Sequence, residues 1–181
     1  VSASGGRLQH KGDDGEVPDV EILHYDYPEF VMTFEHSHFA NAMSKINGKI
    51  RSGDQFPYWP QCATRIEFYG TKDNMMLGRH GGGWQVFTSG GRVVEEQYGR
   101  HPDPEHQQNF VDCIRNRKRP NADVGLAHGS TTVMHMGNIA HRVGNQKLQF
   151  DAGAERFIGN DAANLLSKRH NVNPYSVKEM A

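Results

Sequence analysis

The chain has 181 residues, of which 36% are hydrophobic and 23% charged, and its formal net charge is −1 at pH 7. This length and composition are typical of one globular domain that can bury its own core. Because no long block of like charges is present, the sequence argues against nucleic-acid and membrane-surface partners and favours small-molecule chemistry.

The first part of the chain predicts short β-strands. Two runs rich in β-branched and aromatic residues, Val20 to Tyr27 and Glu29 to His38, are separated by Pro28. Successive residues of a strand point to opposite faces. One face of the second run therefore carries Phe30, Met32, Phe34 and His36. This alternation predicts a sheet with one covered face.

Four more short strands are predicted before residue 100. Their runs are Ala63 to Tyr69, Asn74 to Gly78, Gly83 to Thr88 and Arg92 to Tyr98. The glycines at 81 to 83 form the turn between the second and third of these runs. Since no helical crossover fits between the runs, neighbouring strands must be antiparallel.

A long connection from Asn41 to Pro60 shows neither helical nor strand periodicity. Loops of this length are usually functional or disordered. Its end places Tyr58 and Trp59 between two prolines. Such aromatics can wall a sugar pocket or dock on a partner subunit, or they can plug the edge of the core, and the sequence leaves both interpretations open.

The next segment predicts a helix that begins with Asp103 as its N-cap and Pro104 in the first position. Basic residues between Arg115 and Lys118 suit its C-terminal end. The apolar stripe expected to be buried consists of Phe110, Val111 and Ile114.

The remaining elements are a second helix, a short strand and a last helix. The second helix is predicted from Gly129 to Val143, and Gly144 is expected to close it in a left-handed conformation. Gly137 inside it predicts a close approach to a neighbouring backbone, because glycine otherwise weakens a helix. The strand is predicted at Lys147 to Phe150 and the last helix from Asn160 to about Arg169.

Several segments resemble one family. The second half contains NFVDCIRNRKRPNAD (Asn109 to Asp123), HGSTTVMHMGNIAHRVGNQKLQFD (His128 to Asp151) and RFIGNDAANLL (Arg156 to Leu166), and the first half contains GGRLQHKGDDGEVPDV (Gly5 to Val20). Together they resemble the C-terminal α+β domain of the Gfo/Idh/MocA family, which includes glucose-fructose oxidoreductase and inositol dehydrogenase. The resemblance is most specific from NIAHRVGNQKLQFD through FIGNDAAN.

The resemblance implies an α+β fold: an open-faced, mostly antiparallel sheet with helices packed on one side. Residues 1–181 would then form a single domain that binds substrate and oligomerises. In this family the exposed sheet face commonly forms the subunit interface, so we expect a homodimer or higher oligomer. The implied activity is that of an NAD(P)-dependent oxidoreductase acting on a sugar, a cyclitol or a related polyol. The alternative is a stand-alone, non-catalytic module that binds carbohydrate or only dimerises.

The sequence is expected to be catalytically incomplete. The dinucleotide fingerprint GxGxxG and the phosphate-binding GxxxxGK[ST] are both missing from it. The family's catalytic lysine, aspartate and histidine lie upstream of the part that this chain resembles, so we assign no catalytic residue. We expect NAD or NADP to belong to an N-terminal dinucleotide-binding domain that this chain lacks, and the isolated chain to be inactive.

His36 and His38 are the best candidates among eleven histidines. At positions i and i+2 of a strand, both rings project from one face and can share a ligand. A metal site needs a third and a fourth ligand, and the sequence spacing offers none. We therefore favour structural or substrate-contact roles for both histidines over a metal-dependent lyase or hydrolase site, and we assign no metal ligand.

His128 is the remaining candidate, where related sequences commonly read GHRS and this one reads AHGS. At a helix N-terminus it can donate a hydrogen bond to a sugar hydroxyl, or it can cap the helix. The predicted substrate-binding set is His36, His38, Tyr58, Trp59 and His128. HGGGW at 80–84 resembles an esterase oxyanion loop, but no GxSxG nucleophile accompanies it, so we interpret it as a turn.

Targeting signals and cysteine spacing give little further information about function. No basic and apolar secretory signal is present, and no window approaches the roughly 18 apolar residues of a membrane-spanning helix. We expect a cytoplasmic location, with export of a longer parent protein left open. Cys62 and Cys113 lack metal-like spacing and suggest no disulfide framework.

Overall fold

The computed structural model describes residues 1–39, 43, 45–79 and 81–168. The described elements are, in chain order, β1 (Ser2–Gly6), β2 (Val20–Asp26), β3 (Val31–Ser37), α1 (Gly48–Arg51), a 3₁₀ turn (Trp59–Gln61), β4 (Arg65–Tyr69), β5 (Asn74–Gly78), β6 (Trp84–Phe87), β7 (Val93–Gln97), α2 (Asp103–Asn116), α3 (Val124–Arg142), β8 (Phe150–Asp151), β9 (Arg156–Phe157) and α4 (Asp161–Leu166). They belong to two compact units. Unit 1 comprises Val1–Phe39 and Val124–Ala181, and unit 2 comprises Ala40–Asp123.

Unit 1 is built around a three-stranded antiparallel sheet in the order β1-β2-β3. Leu23 lies between Ala3 and Phe34, and Tyr25 lies opposite Met32, so these residues share a face. Ala3, Leu23 and Tyr25 are buried on that face, whereas Ile22 is exposed on the other. The predicted alternation is present on β2, whereas on β3 Phe34 shares the covered face and is nevertheless exposed.

Helix α3 packs on the covered face of this sheet. At Gly137 an added Cβ would lie 2.2 Å from Leu23 Cδ1 and 2.7 Å from the Tyr25 hydroxyl. That hydroxyl donates a hydrogen bond of 2.8 Å to the Val133 carbonyl. The close approach predicted at Gly137 is present, but it is made to side chains of β2 and not to a neighbouring backbone. Gly144 follows the helix with φ +89°, as its predicted role in closing the helix requires.

A small hairpin, β8–β9, and helix α4 complete the core of unit 1. Phe157 is only 1% exposed and packs in one cluster with Leu148 and Ala163. The Asn160 side chain caps α4 by accepting from the Ala163 N–H at 2.9 Å. The strand predicted at Lys147 to Phe150 is displaced to Phe150–Asp151, because the Leu148 backbone instead bonds to Val1 through both its N–H and its carbonyl at 2.8 Å. The last residue predicted for the final helix lies outside the described residues.

Unit 2 is built around a four-stranded antiparallel sheet in the order β4-β5-β6-β7. The three glycines before β6 have φ of +87°, +83° and +62°, a conformation that favours glycine, so the predicted turn is confirmed. The predicted long loop contains α1 and the 3₁₀ turn, and its residues 41, 42 and 44 lie outside the described part of the chain.

The two faces of the four-stranded sheet differ. On one face Met76 and Phe87 pack against a cluster formed by Ile46, Trp59 and Cys62. The other face, which we call the open face, carries Ile66, Phe68, Met75, Leu77, Trp84 and Val86, as the strand register shows. Phe68 is 52% exposed, Ile66 is also exposed, and the other four are only half-buried. Unit 2 thus presents apolar side chains on a sheet face that its own residues leave uncovered.

Helix α2 departs from its prediction. Its first helical residue is Asp103, and Pro102 occupies the N-cap position that was predicted for Asp103. It ends at Arg117, whose φ of +53° is left-handed. The apolar stripe expected to be buried is exposed, and none of the residues of α2 is buried. Periodicity correctly predicts an amphipathic helix but not whether its apolar face is covered.

The predicted fold class is confirmed. All described strand pairs are antiparallel, α3 packs on one face of its sheet, and the described strands form open sheets, although three of them instead of one. The prediction of a single domain over 1–181 stays a prediction. Both cysteines are free. Among the described residues, no helix has the length and apolar character needed to cross a bilayer.

Candidate functional site

One end of the three-stranded sheet of unit 1 carries acidic and histidine side chains on its covered face. Glu21 on β2 lies directly opposite His36 on β3. The next step of the ladder is a backbone bond of 2.9 Å from the His38 N–H to the Asp19 carbonyl. Asp19, Glu21, His36 and His38 therefore follow one another on the same face. We call these four residues the acid–histidine end.

Asp19 is a buried carboxylate, and backbone N–H groups donate to both of its oxygens. It is 3% exposed and accepts backbone N–H bonds from Leu8, Gln9 and His10 at 2.8 to 2.9 Å. These bonds, led by the one from His10, hold the pKa of Asp19 well below its usual range because they stabilise the charged form. Asp19 therefore fixes the loop after β1, and its charge is already stabilised by the backbone.

Glu21 differs from Asp19 in one respect. It is 6% exposed, and its Oε1 has no hydrogen-bond partner among the described residues. Its neighbour on the β1 side is Gly5, which has no side chain to offer. A buried acceptor without a partner is unfavourable by about 1–3 kcal/mol, so such groups in a native fold require an explanation.

The two predicted histidines of this end are brought together. The ring centroids of His36 and His38 lie 4.4 Å apart at an interplanar angle of 88°, an edge-to-face contact. Imidazole nitrogens can donate to and accept from ligand hydroxyls. In the described part of the chain, no group of three or more His, Cys, Asp or Glu side chains is arranged to hold a metal ion.

His128 occupies a different position from the one predicted. Helix α3 begins at Val124, so His128 lies in the second turn and is not the N-cap. Its Nε2 lies 2.7 Å from Glu155 Oε1, and both side chains are exposed. Glu155 has φ +47°, which is uncommon for a non-glycine residue. His128 thus connects α3 to the turn between β8 and β9.

Tyr58 and Trp59 lie in unit 2, where their environments differ. Trp59 is 7% exposed, and its indole N–H donates to Gln85 Oε1 at 2.8 Å. This residue is part of the core, which matches the interpretation that the loop aromatics plug the edge of the core. Tyr58 is 69% exposed and lines a cavity of about 180 Å³. The cavity also has Lys45, Ile46, Asn47, Ile50, Pro57, Gln61 and Cys62 in its wall.

Sequence reasoning missed several of these groups. The polar side chains beside Tyr58, namely Lys45, Asn47 and Gln61, lie in a segment without periodicity and gave no signal. Glu21 had a signal, since alternation with Leu23 and Tyr25 places it on the covered face. A glutamate in a strand is ordinarily exposed, so alternation alone does not predict that it is buried.

The described residues do not fit a dinucleotide. A dinucleotide crevice needs parallel strands joined by a helix, with a glycine-rich turn that leads into the helix N-terminus. The described strand pairs are instead antiparallel, and the chain has no GxGxxG. The side chains of Glu21, His36, His38 and Tyr58 can instead form hydrogen bonds to a small ligand.

Comparison with known families gives one match. Residues 63–177, more than half of the chain, match the model of the oxidoreductase family, C-terminal alpha/beta domain. The matched segment runs from β4 to the end of the described residues and beyond, so the acid–histidine end and Tyr58 lie outside it. No curated protein and no solved structure matches the chain.

Proposed function

Because this chain belongs to the Gfo/Idh/MocA oxidoreductases, as a C-terminal alpha/beta domain of that family, we propose that it is the substrate-binding and oligomerisation portion of an NAD(P)-dependent enzyme. The proposed substrate is a sugar, a cyclitol or a related polyol. Members of the family generally depend on NAD(P), and their cofactor site lies in the N-terminal domain. We assign the chain no catalytic residue, and we propose that it holds the substrate and joins the subunits.

The open face of the four-stranded sheet carries the proposal. Six apolar side chains share this face, and the two on the edge strand β4, Ile66 and Phe68, are exposed. Contiguous apolar patches of more than a few hundred Å² are rare on monomers and mark interaction surfaces. A second copy presenting the same face would bury these side chains in a symmetric interface, which is the commonest way for one chain to oligomerise.

A matched pair of substitutions on β4 tests the association. Phe68→Lys places a charge on the open face, and Tyr69→Lys places the same charge at the neighbouring position on the opposite face. We expect Phe68→Lys to weaken self-association by at least tenfold, measured by sedimentation velocity, because a buried charge without a partner is strongly unfavourable. Tyr69→Lys is the control and should associate like the wild type. Equal association in all three proteins would exclude the open face as the interface.

The Tyr58 cavity supports the substrate part of the proposal. Sugars combine an apolar C–H face, which packs on aromatic rings, with hydroxyls that bond to amide and ammonium groups. The exposed Tyr58 ring lies beside the side chains of Lys45 and Gln61 in one concave site. An aromatic wall with a few polar groups is typical of small-ligand sites.

Ligand-observed NMR with myo-inositol and D-glucose tests this cavity. We expect saturation transfer to at least one of the two polyols with the wild-type chain and a loss of about tenfold in affinity for Tyr58→Ala, which is the effect of removing one aromatic contact. Tyr69→Ala removes an equally exposed ring elsewhere in unit 2 and should leave affinity unchanged. Unchanged affinity in Tyr58→Ala would exclude this cavity as the substrate site.

A fluorescence titration with NADH and NADPH tests the assignment of the cofactor to another domain. We expect no saturable signal from the chain, because its described residues do not fit a dinucleotide. Saturable binding at micromolar cofactor would contradict this assignment.

A further inference from the structure

Oε1 of the Glu21 carboxylate is buried and has no hydrogen-bond partner among the described residues. Glu21 lies on the central strand of its sheet, between Gly5 on β1 and His36 on β3. Gly5 offers no side chain, and the His36 ring contacts His38. No ion pair between Glu21 and His36 is present in the described residues. The acceptor of Glu21 is therefore left for a group that the described residues do not supply.

Asp19 shows that the local fold can satisfy a buried carboxylate. Two residues before Glu21 on the same strand face, it receives three backbone N–H bonds. Glu21 also affects the core electrostatically. Burial is the largest cause that raises the pKa of Tyr25, to about 12, and the interaction with Glu21 is the second largest. A buried acceptor atom that remains unpaired destabilises the ligand-free fold, and residues of this kind are typical of sites built for a ligand.

The chemistry of the neighbours indicates the ligand. A carboxylate accepts hydrogen bonds only, whereas an imidazole both donates and accepts. Two adjacent hydroxyls of a polyol match this pair, because one can donate a hydrogen bond to Glu21 while the other donates to or accepts from the His36 ring. A cation fits less well, because the described residues include no group of three metal ligands here.

We propose that Glu21 is a further ligand-binding residue, which together with His36 recognises a vicinal pair of hydroxyls on a polyol. The inference rests on the polyol class of the proposed function and assigns a polyol site to unit 1, in addition to the Tyr58 cavity of unit 2. Bidentate recognition of neighbouring hydroxyls discriminates strongly against analogues that lack one of them, because the carboxylate would then remain buried and unpaired.

Two substitutions of Glu21 and one control test the proposal. Glu21→Gln keeps the shape and removes the charge, and Glu21→Met keeps the volume and removes the acceptor. Glu35→Gln makes the same chemical change on β3 at an exposed position of the opposite face, opposite Ile22. Thermal unfolding of the ligand-free chains and ligand-observed NMR with myo-inositol and 1,4-cyclohexanediol provide two separate measurements.

We expect Glu21→Met to raise Tm by about 2–4 °C in the ligand-free chain, the shift expected when one unsatisfied buried polar group is removed from a chain of this size. In the Tyr58→Ala background, which removes the other proposed polyol site, both Glu21 variants should bind myo-inositol at least tenfold more weakly than the protein with Glu21 intact. That protein should bind 1,4-cyclohexanediol, which has no vicinal hydroxyls, more weakly than myo-inositol. Glu35→Gln should change neither measurement.

The two measurements separate the possible failures. A lower Tm for both Glu21 variants would show a structural role and overturn the inference, whatever happens to binding. Unchanged myo-inositol affinity in both variants would overturn the inference and leave the proposed function standing. Absence of polyol binding by the wild-type chain would overturn the substrate part of the proposed function, and the inference with it.

Discussion

Unit 1 and unit 2 each contain an antiparallel sheet with one covered face, but they differ in how completely their apolar residues are buried. In unit 1 the sheet, α3, the β8–β9 hairpin and α4 enclose a cluster of eight buried residues. In unit 2 the corresponding cluster has three, and six apolar side chains remain on the open face. Unit 1 is therefore stabilised mainly by its own packing, and the uncovered face of unit 2 is the reason for our proposal that a second copy completes it.

The largest expected effect comes from removing the same side chain in the two settings. Phe157→Ala in the core of unit 1 should lower the free energy of unfolding by about 3–5 kcal/mol, because it creates a cavity. Phe68→Ala on the open face should cost less than about 1 kcal/mol in dilute protein, where the side chain is half exposed. Urea unfolding followed by circular dichroism measures both. Equal losses in the free energy of unfolding would contradict the distinction between the two units. If Phe157→Ala does not fold, Phe157→Leu replaces it in the same measurement.

Tyr25 gives a pH-dependent effect that is specific to unit 1. Burial, followed by the nearby Glu21 charge, raises the pKa of the Tyr25 hydroxyl to about 12 from its usual 10. A raised pKa means that the folded state holds the proton more tightly, so this stability is present below pH 10 and is lost as pH rises from 10 to 12. The loss corresponds to about 2–3 kcal/mol.

Alkaline unfolding of Tyr25→Phe measures this contribution. Between pH 10 and 12 the variant should lose less stability than the wild type. At neutral pH it should be less stable by about 1 kcal/mol, because the hydrogen bond to the Val133 carbonyl is lost. Parallel pH profiles for the two proteins would contradict the burial of this hydroxyl.

Trp59 provides the corresponding hydrogen bond in unit 2. Trp59→Phe keeps an aromatic ring in the core and removes the donor to Gln85 Oε1. We expect a loss of about 1 kcal/mol in the free energy of unfolding, since the partner is only partly buried and water can replace the bond. Chemical denaturation measures the loss, and Tyr58→Phe, at the exposed neighbour, should leave stability unchanged. A loss above about 3 kcal/mol would mean that the small core of unit 2 is as essential as that of unit 1.

The smallest effects concern two exposed ion pairs, one in each unit. Lys147 and then His24 lower the pKa of Asp26 to about 2 from its usual 3.8, and Arg100 lowers that of Asp54. A carboxylate whose pKa is lowered by folding stabilises the protein at pH values above its usual pKa. This stabilisation is lost as the pH falls through the pKa of the folded state. Asp26→Asn should therefore flatten the fall in Tm between pH 4 and 2, and Asp54→Asn should do so by a similar small amount. An unchanged acid profile in both variants would show that these exposed pairs contribute nothing measurable.

The sequence predicts the strands well because their boundaries depend on local chemistry. Pro28 and the glycines at 81 to 83 separate runs whose alternation then determines the faces, and short turns leave antiparallel pairing as the only option. The predicted start of α3 was too late, because Gly125 and Gly129 discourage a helix locally while packing of the helix against β1 stabilises it.

The candidate site was only partly predictable, since its decisive features depend on contacts between distant residues. The pairing of His36 with His38 follows from strand spacing, and the structure places their rings in contact. The burial of Trp59 depends on Gln85, which is 26 residues away. The absence of a hydrogen-bond partner for Glu21 Oε1 among the described residues depends on its neighbours Gly5 on β1 and His36 on β3. No local pattern contains that information.

Hydrogen exchange measured at two protein concentrations tests most directly whether unit 1 is stable alone and unit 2 is completed by a second copy. Peptides covering β4 to β6 should exchange more slowly in concentrated than in dilute protein, because association protects their strands. Peptides covering β2 and α3 should exchange at the same rate in both. Exchange that is independent of concentration throughout the chain would contradict the account, as would slowing confined to unit 1.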